Sequence, residues 1–131
     1  MKIIFEKHIT RQEIINNPKS LYVFGDNDAR KGRGGLAKEC RGCENSIGIR
    51  VKKYPSMDTD SFYNDLEFES NVKKIDEDIN RLIEMSNSYN IVVFSSAPIG
   101  SGLARLLICA PRTYEYLIKR LKELGVNCGN V

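Results

Sequence analysis

The chain has 131 residues, a length that suits one ordinary domain with a buried core and is short for two. Charged residues make up 28% and hydrophobic residues 41%, which excludes a disordered or membrane-embedded chain and predicts a single domain over residues 1–131. The net charge of +3 is compatible with phosphorylated small molecules or nucleic acid as partners. Because no apolar stretch reaches the roughly 18 residues of a membrane span, and residues 1–10 are typical of a charged strand and not of a signal peptide, we expect a cytoplasmic protein with no membrane partner.

The first 55 residues predict two strand–helix units followed by a third strand. Residues 2–5 form a short apolar run, and Thr10 with Glu13 three residues later is typical of a helix N-terminus. Residues 21–24 are four consecutive β-formers, as in a strand buried on both faces, and residues 25–27 close it as a loop. The predicted elements of this part are strand 2–5, helix 11–16, strand 21–24, helix 34–41 and strand 47–51.

The rest of the chain predicts two longer helices around one strand. Residues 56–65 are polar and turn-rich, which indicates a surface excursion, and residues 69–86 carry apolar residues at helical spacing. Residues 91–94 repeat the pattern of a buried strand, and Pro111 begins a last helix that Gly125 ends. Alternating strands and helices predict the fold class α/β, a three-layer α/β/α domain with a mixed, largely parallel sheet.

Two glycine-rich loops, residues 25–35 and 95–102, follow the two strands with the strongest buried pattern. In open α/β sheets, ligands bind at the carboxyl ends of the strands, where loops and helix N-termini present N–H groups to anions. Neither loop contains a Walker A or dinucleotide-binding fingerprint, which argues against a P-loop kinase and a classical dehydrogenase. Together the loops predict a phosphate site, with two simple turns as the alternative. Valine at Gly34 or Gly100 is therefore expected to block binding and to leave the fold largely intact.

Side chains around the first loop each have two interpretations. Arg33 or Arg41 closes over a phosphate, or the basic residues are solvated charges. Asp26 and Asn27 contact an adenine or ribose group, with Asp26 alternatively a general base, or they form an Asx-turn or helix cap. Asn45 is a turn former or a ribose contact. The predicted ligand-binding set comprises Gly25, Asp26, Asn27, Gly32, Arg33, Gly34, Gly35, Leu36, Arg41, Asn45, Pro98, Ile99, Gly100, Ser101, Gly102 and Leu103.

The cysteines and the single histidine, His8, predict no metal site, and we expect no cofactor. Cys40 and Cys43 form one C-x-x-C, whereas structural zinc takes four ligands, and Cys109 and Cys128 stand alone. Because Cys40 is expected to end a short helix and not to open one, thioredoxin-like catalysis is disfavoured and reduced thiols are expected. Whether Cys40 and Cys43 pair or have a redox role is left open.

The two loops resemble those of a known family. The run VVF at residues 92–94, followed by APIGSGL at residues 97–103, is similar to the second phosphate loop of macrodomains, and GRGGLA at residues 32–37 resembles their earlier glycine-rich loop. The resemblance implies a macrodomain-like fold that binds ADP-ribose or a related adenine nucleotide. In the hydrolase branch of the family a lysine and an aspartate do the chemistry, and Lys38 and Asp26 are the candidates here by type and location. An ADP-ribosyl hydrolase is therefore the alternative to a binder.

A second resemblance spans nearly the whole chain. The pattern GDN, GxGG, RG, N, GI and then IGSGLA and APRTY is similar to small uncharacterised bacterial and phage proteins. It implies a protein that sequesters or neutralises a nucleotide immune signal, in the host cytoplasm if a phage encodes it. A nucleic-acid binder that uses the basic residues between Arg30 and Lys53 is a third alternative, and the lack of an aromatic platform argues against it. The oligomeric state and the exact ligand are left open.

Overall fold

The computed structural model describes residues 1–126, which fold around one four-stranded sheet. The strand order is β1-β4-β2-β3, and all three strand pairings are parallel. The strands are β1 (Ile3–Glu6), β2 (Ser20–Asn27), β3 (Ser46–Lys52) and β4 (Ile91–Ser95). The α-helices are α1 (Arg11–Asn16), α2 (Ala37–Cys40), α3 (Phe68–Ser86), α4 (Leu106–Cys109) and α5 (Pro111–Glu123).

Buried side chains cover both faces of the sheet. Along β2, Leu21 and Val23 join an apolar cluster with residues of α3, α4 and α5, whereas Tyr22 and Phe24 join a second cluster with residues of α1 and α2. This alternation follows from the two-residue period of a strand, and it explains why four apolar residues in succession are all buried. The α/β class predicted from the sequence is confirmed, and the sheet, predicted to be mixed and largely parallel, has only parallel strand pairings in residues 1–126.

The helix signals in the sequence correspond to real helix ends. The Thr10 hydroxyl accepts a hydrogen bond from the Glu13 N–H at 3.1 Å, as expected of an N-cap. Pro111 is the first residue of α5. The N–H groups of a first turn have no acceptor within the helix, so proline costs no helix hydrogen bond there. Residues 69–86, predicted as a helix, lie within α3, which begins one residue earlier.

Three sequence predictions were wrong in extent. Residues 25–27 are not loop, because β3 pairs with Asp26 through Arg50 and with Asn27 through Lys52 and so extends β2 to Asn27. The helix predicted over residues 34–41 is the single turn α2, since residues 32–36 lie in the loop that precedes it. The predicted surface excursion is partly buried, because Phe62 forms an isolated bridge with Lys52 and Tyr63 packs into the larger core cluster. The short helix α4 was not predicted.

A carboxyl pair joins the end of β1 to α1. A hydrogen bond with Glu13, together with burial and the charge of Glu13, raises the pKa of Glu6 from 4.5 to about 7. The Tyr22 hydroxyl donates to the other side of the pair, the Glu13 Oε2, at 2.8 Å. The folded chain therefore holds the Glu6 proton over a pH range in which the unfolded chain releases it.

Stability is expected to fall as the pH rises from 4.5 to about 7, because the folded state binds one more proton than the unfolded state across this window. Thermal unfolding at several pH values would measure this slope. The Glu6→Gln variant should lose the part of the slope that comes from Glu6. Equal slopes for the variant and the wild type would contradict the assignment.

Candidate functional site

A cleft of about 580 Å³ lies at the carboxyl edge of the sheet. Its walls are formed by residues 31–37 after β2, residues 51–52 and 55–57 at the end of β3, and residues 95 and 97–104 at the end of β4 and after it. Small-molecule sites in proteins span about 300–1,000 Å³, so the cleft has the size of a ligand pocket.

The strand order explains why the cleft forms at this position. β2 and β4 are neighbours in the sheet. The chain leaves β2 toward α2, which packs with the cluster of α1, and it leaves β4 toward α4 and α5, which pack with the other cluster. Because the two connections diverge to opposite faces, a crevice opens between the strand ends, as at the switch point of a doubly wound sheet.

The two glycine-rich loops meet across the cleft. A Cβ built on Gly34 would lie 2.9 Å from the Leu103 Cδ1, so a side chain at this position would have to displace the exposed end of Leu103. The second loop is a compact turn, in which the Ser101 N–H and hydroxyl both donate to the Pro98 carbonyl, at 3.1 and 2.6 Å. Ile99 anchors this loop in the larger core cluster. The sheet therefore brings together loops that are about 65 residues apart in the sequence.

Asp26 lies on the floor of the cleft and is held by two arginines. It is 6% exposed, and its Oδ1 accepts from Arg41 Nη2 at 2.7 Å while its Oδ2 accepts from Arg30 Nη1 at 3.2 Å. The Asn27 N–H also donates to Oδ1, at 2.8 Å. Both carboxylate oxygens are therefore occupied, an arrangement that suits an anchor for the arginines better than a general base.

Arg41 uses its remaining donors to fix the first loop. Its Nε donates to the Gly32 carbonyl at 2.8 Å and its Nη2 to the Lys31 carbonyl at 3.1 Å. The Asn27 side-chain amide donates to the same Lys31 carbonyl at 2.7 Å. Arg33 also lines the cleft, is exposed, and has no hydrogen bond or ion pair with the rest of residues 1–126. Of the two arginines predicted to contact phosphate, Arg41 is engaged through Nε, Nη1 and Nη2, whereas the Arg33 guanidinium has no partner within residues 1–126.

Arg30 extends the charge network behind the cleft. Its Nη2 pairs with Asp78 of α3 at 2.8 Å, and its Nη1 donates to the Gly48 carbonyl at 2.9 Å. Asp78 also accepts from the N–H and Nε of Arg50, at 2.7 and 3.0 Å. Arg30 has a φ of 55°, a conformation that costs a non-glycine residue of order 1 kcal/mol or more. The network compensates for this strain by joining β2, β3 and α3.

Two predicted site residues lie outside the cleft. The Asn45 amide donates to the carbonyls of Ile14, Asn17 and Ser20, each at 3.0 Å, just before β3 and so at the opposite edge of the sheet. The structure therefore assigns Asn45 to backbone bracing and not to a ribose contact. Lys38 is exposed on α2 and does not line the cleft. The other residues of the predicted ligand-binding set all line it.

The sequence analysis missed the third wall of the cleft, residues 51–52 and 55–57. Lys52 ends β3, and Pro55 and Met57 follow it in the lining. The sequence did contain the information needed to predict this wall. The carboxyl ends of parallel strands lie at one edge of a sheet, and the strand predicted over residues 47–51 ends at the same edge as the two glycine-rich loops.

The C-x-x-C does not face the cleft. Cys40 ends α2 with a fully buried side chain, and burial, with Cys43 and Glu39 nearby, raises the pKa of its thiol to about 12. Cys43 and Cys109 are also free thiols, and Cys128 lies outside the described residues. Within residues 1–126, no group of three or more His, Cys, Asp and Glu side chains is placed to hold a metal ion.

The fold and the cleft define an α/β protein with a ligand-sized crevice at the switch point of a parallel sheet. The model of a family of unknown function, DUF7831, matches residues 4–120, and the chain belongs to that family. No curated protein and no solved structure matches the chain. None of the helices in the described part of the chain has the length and apolar character required to cross a membrane.

Proposed function

We propose that the protein is a macrodomain-like, three-layer α/β/α module that binds ADP-ribose or a related adenine nucleotide. The diphosphate lies between residues 32–36 and residues 98–103. The observation that carries this proposal is the convergence of the two glycine-rich loops on one cleft of about 580 Å³. Glycines let backbone N–H groups approach a diphosphate closely, and the free guanidinium of Arg33 supplies a fork that matches phosphate oxygens.

The contacts around the cleft favour a binder over a hydrolase. Asp26 has both carboxylate oxygens engaged by Arg30 and Arg41, and Lys38 does not line the cleft. Of the two side chains proposed for catalysis, one is therefore engaged in ion pairs and the other is outside the lining. A binder that returns its ligand unchanged suits sequestration of a nucleotide signal, in the host cytoplasm if the gene is carried by a phage.

Thermal unfolding with a ligand panel tests this function. The panel comprises ADP-ribose, NAD, cyclic ADP-ribose isomers, cyclic dinucleotides and a short oligonucleotide. A ligand at 100 times its Kd adds about 2.7 kcal/mol to the free energy of unfolding, which shifts the midpoint by several degrees in a domain of this size. The absence of a shift with every adenine diphosphate would refute the proposal, and a shift with the oligonucleotide alone would favour a nucleic-acid binder.

Mass spectrometry of the bound ligand separates the binder from the hydrolase. The protein is incubated with the most stabilising ligand, and in parallel with an ADP-ribosylated protein, and is then denatured. Recovery of both unchanged is the expected result. Release of ADP-ribose or cleavage of the ligand would favour the hydrolase.

The Gly34→Val variant is expected to lower ligand affinity at least about tenfold, or 1.4 kcal/mol. The valine Cβ would meet the exposed end of Leu103 and so narrow the gap between the two loops without reaching the core. Calorimetric titration would measure the affinity, and a thermal scan without ligand should show a nearly unchanged midpoint.

The control for Gly34→Val is Lys38→Ala, an exposed substitution on the neighbouring helix α2. It should leave the affinity unchanged. Wild-type affinity in Gly34→Val would mean that the loops do not enclose the ligand, and equal losses in both variants would place the ligand on α2.

A further inference from the structure

Lys52, the last residue of β3, is a buried cation in the lining of the cleft. It is 8% exposed. Its Nζ lies 3.6 Å from the Met57 sulfur and 4.8 Å from the centre of the Phe62 ring. Within residues 1–126, no carboxylate forms an ion pair with it.

This environment is unusual for an ammonium group. Burial of a charge is costly unless an opposite charge compensates it, whereas a thioether is only a weak acceptor and a ring face gives a modest attraction. By contrast, the ammonium group of Lys53 pairs with Glu67 and that of Lys74 pairs with Asp28. Burial, with the charge of Arg105, lowers the pKa of Lys52.

Arg105 places a second cation at the same ring. Its guanidinium carbon lies 5.9 Å from the centre of the Phe62 ring, and it forms no ion pair with any other residue between 1 and 126. Arg105 has a φ of 47° and stands immediately before α4. Two positive side chains therefore share one aromatic ring beside the cleft, and no carboxylate within residues 1–126 forms an ion pair with either.

We propose that Lys52 binds a phosphoryl group of the ligand at the β3 end of the cleft, with Arg105 strengthening the positive field there. The inference rests on the proposed function, because both place the ligand in the same cleft, and it adds an anion contact that neither glycine-rich loop provides. The ligand neutralises the buried ammonium. Phosphorylated ligands are therefore favoured over neutral nucleosides.

The Lys52→Met variant tests this contact with inorganic pyrophosphate as the probe. Methionine keeps most of the length of the side chain and removes the charge. Pyrophosphate should raise the unfolding midpoint of the wild type and not that of Lys52→Met, with an apparent Kd at least about tenfold higher in the variant. Without an anion, Lys52→Met should be as stable as the wild type or more stable, because an uncompensated buried charge is removed.

The matched control is Lys53→Met, which makes the same charge change one residue away at a side chain that pairs with Glu67 outside the lining. Its response to pyrophosphate should be that of the wild type. Equal stabilisation of Lys52→Met and the wild type, or no stabilisation of the wild type, would overturn the inference. If Lys52→Met does not fold, the side-chain NMR signal of Lys52 in the wild type is followed instead. A signal that does not shift when pyrophosphate is added would overturn the inference.

A parallel titration with ADP-ribose distinguishes the two proposals. Lys52-dependent binding of pyrophosphate without binding of any adenine nucleotide supports the anion contact and refutes the proposed function. Binding of ADP-ribose that is undiminished in Lys52→Met supports the proposed function and overturns the inference.

Discussion

The Asp26→Ala variant is expected to lose about 2–4 kcal/mol of stability, because breaking a buried ion pair leaves its partners uncompensated. Asp26 serves two guanidinium groups at once. The arginine side chains are 36% and 24% exposed, so water screens part of the loss and the effect falls below that of a fully buried pair. Urea unfolding would measure the change.

The loss of Asp26 should also loosen the first loop. The same Arg41 guanidinium donates to the Asp26 carboxylate and to the carbonyls of Lys31 and Gly32, so removal of the carboxylate leaves the guanidinium freer to leave these carbonyls. Faster amide hydrogen exchange across residues 31–34 is therefore expected. Asp60→Ala, which removes an exposed carboxylate, is the control and should change neither quantity. Wild-type stability in Asp26→Ala would show that the arginines find other partners.

The Gly100→Val variant is expected to destabilise the fold by about 2–4 kcal/mol, from backbone strain and overpacking together. Gly100 has a φ of +91°, and a Cβ there would lie 3.1 and 3.2 Å from the Cδ2 and Cβ of Leu106. Leu106 is fully buried, so it has little freedom to move. This corrects the expectation from the sequence that valine at Gly100 leaves the fold largely intact.

The control for Gly100→Val measures the cost of a positive φ without the crowding at Leu106. Gly125, just after α5, has a φ of +92° and no atom within 4 Å of a built Cβ. Gly125→Val should therefore show the strain of about 1–3 kcal/mol alone. Urea unfolding of both variants gives the difference, and equal losses would mean that crowding at Leu106 contributes nothing.

The parts of the fold that depend on local patterns were predictable. Apolar runs located the strands, and Thr10 and Pro111 located helix starts, because a cap or a proline acts on its own turn. The position of the cleft was also predictable in outline, since loops after buried parallel strands meet at one edge of the sheet.

The charge network was not predictable, because its partners are distant in the sequence. Asp26 meets Arg41 from 15 residues away, and Arg30 meets Asp78 from 48 residues away. The role of Asn45 depends on carbonyls 25 to 31 residues upstream. The burial of Lys52 depends on the bridge that Phe62 forms with it. The residues around Phe62 are polar, and their pattern did not predict that this segment pairs with the end of β3.

The bonds from Arg41 to the Lys31 and Gly32 carbonyls have a consequence for the thermodynamics of recognition. A loop that must become ordered on binding spends part of the interaction free energy on lost conformational entropy. Here a strand carboxylate already holds the guanidinium that fixes the loop. The cleft is therefore preorganised on that side. The conformational entropy of the loop at Lys31 and Gly32 is lost during folding, so binding of an anion does not have to order it.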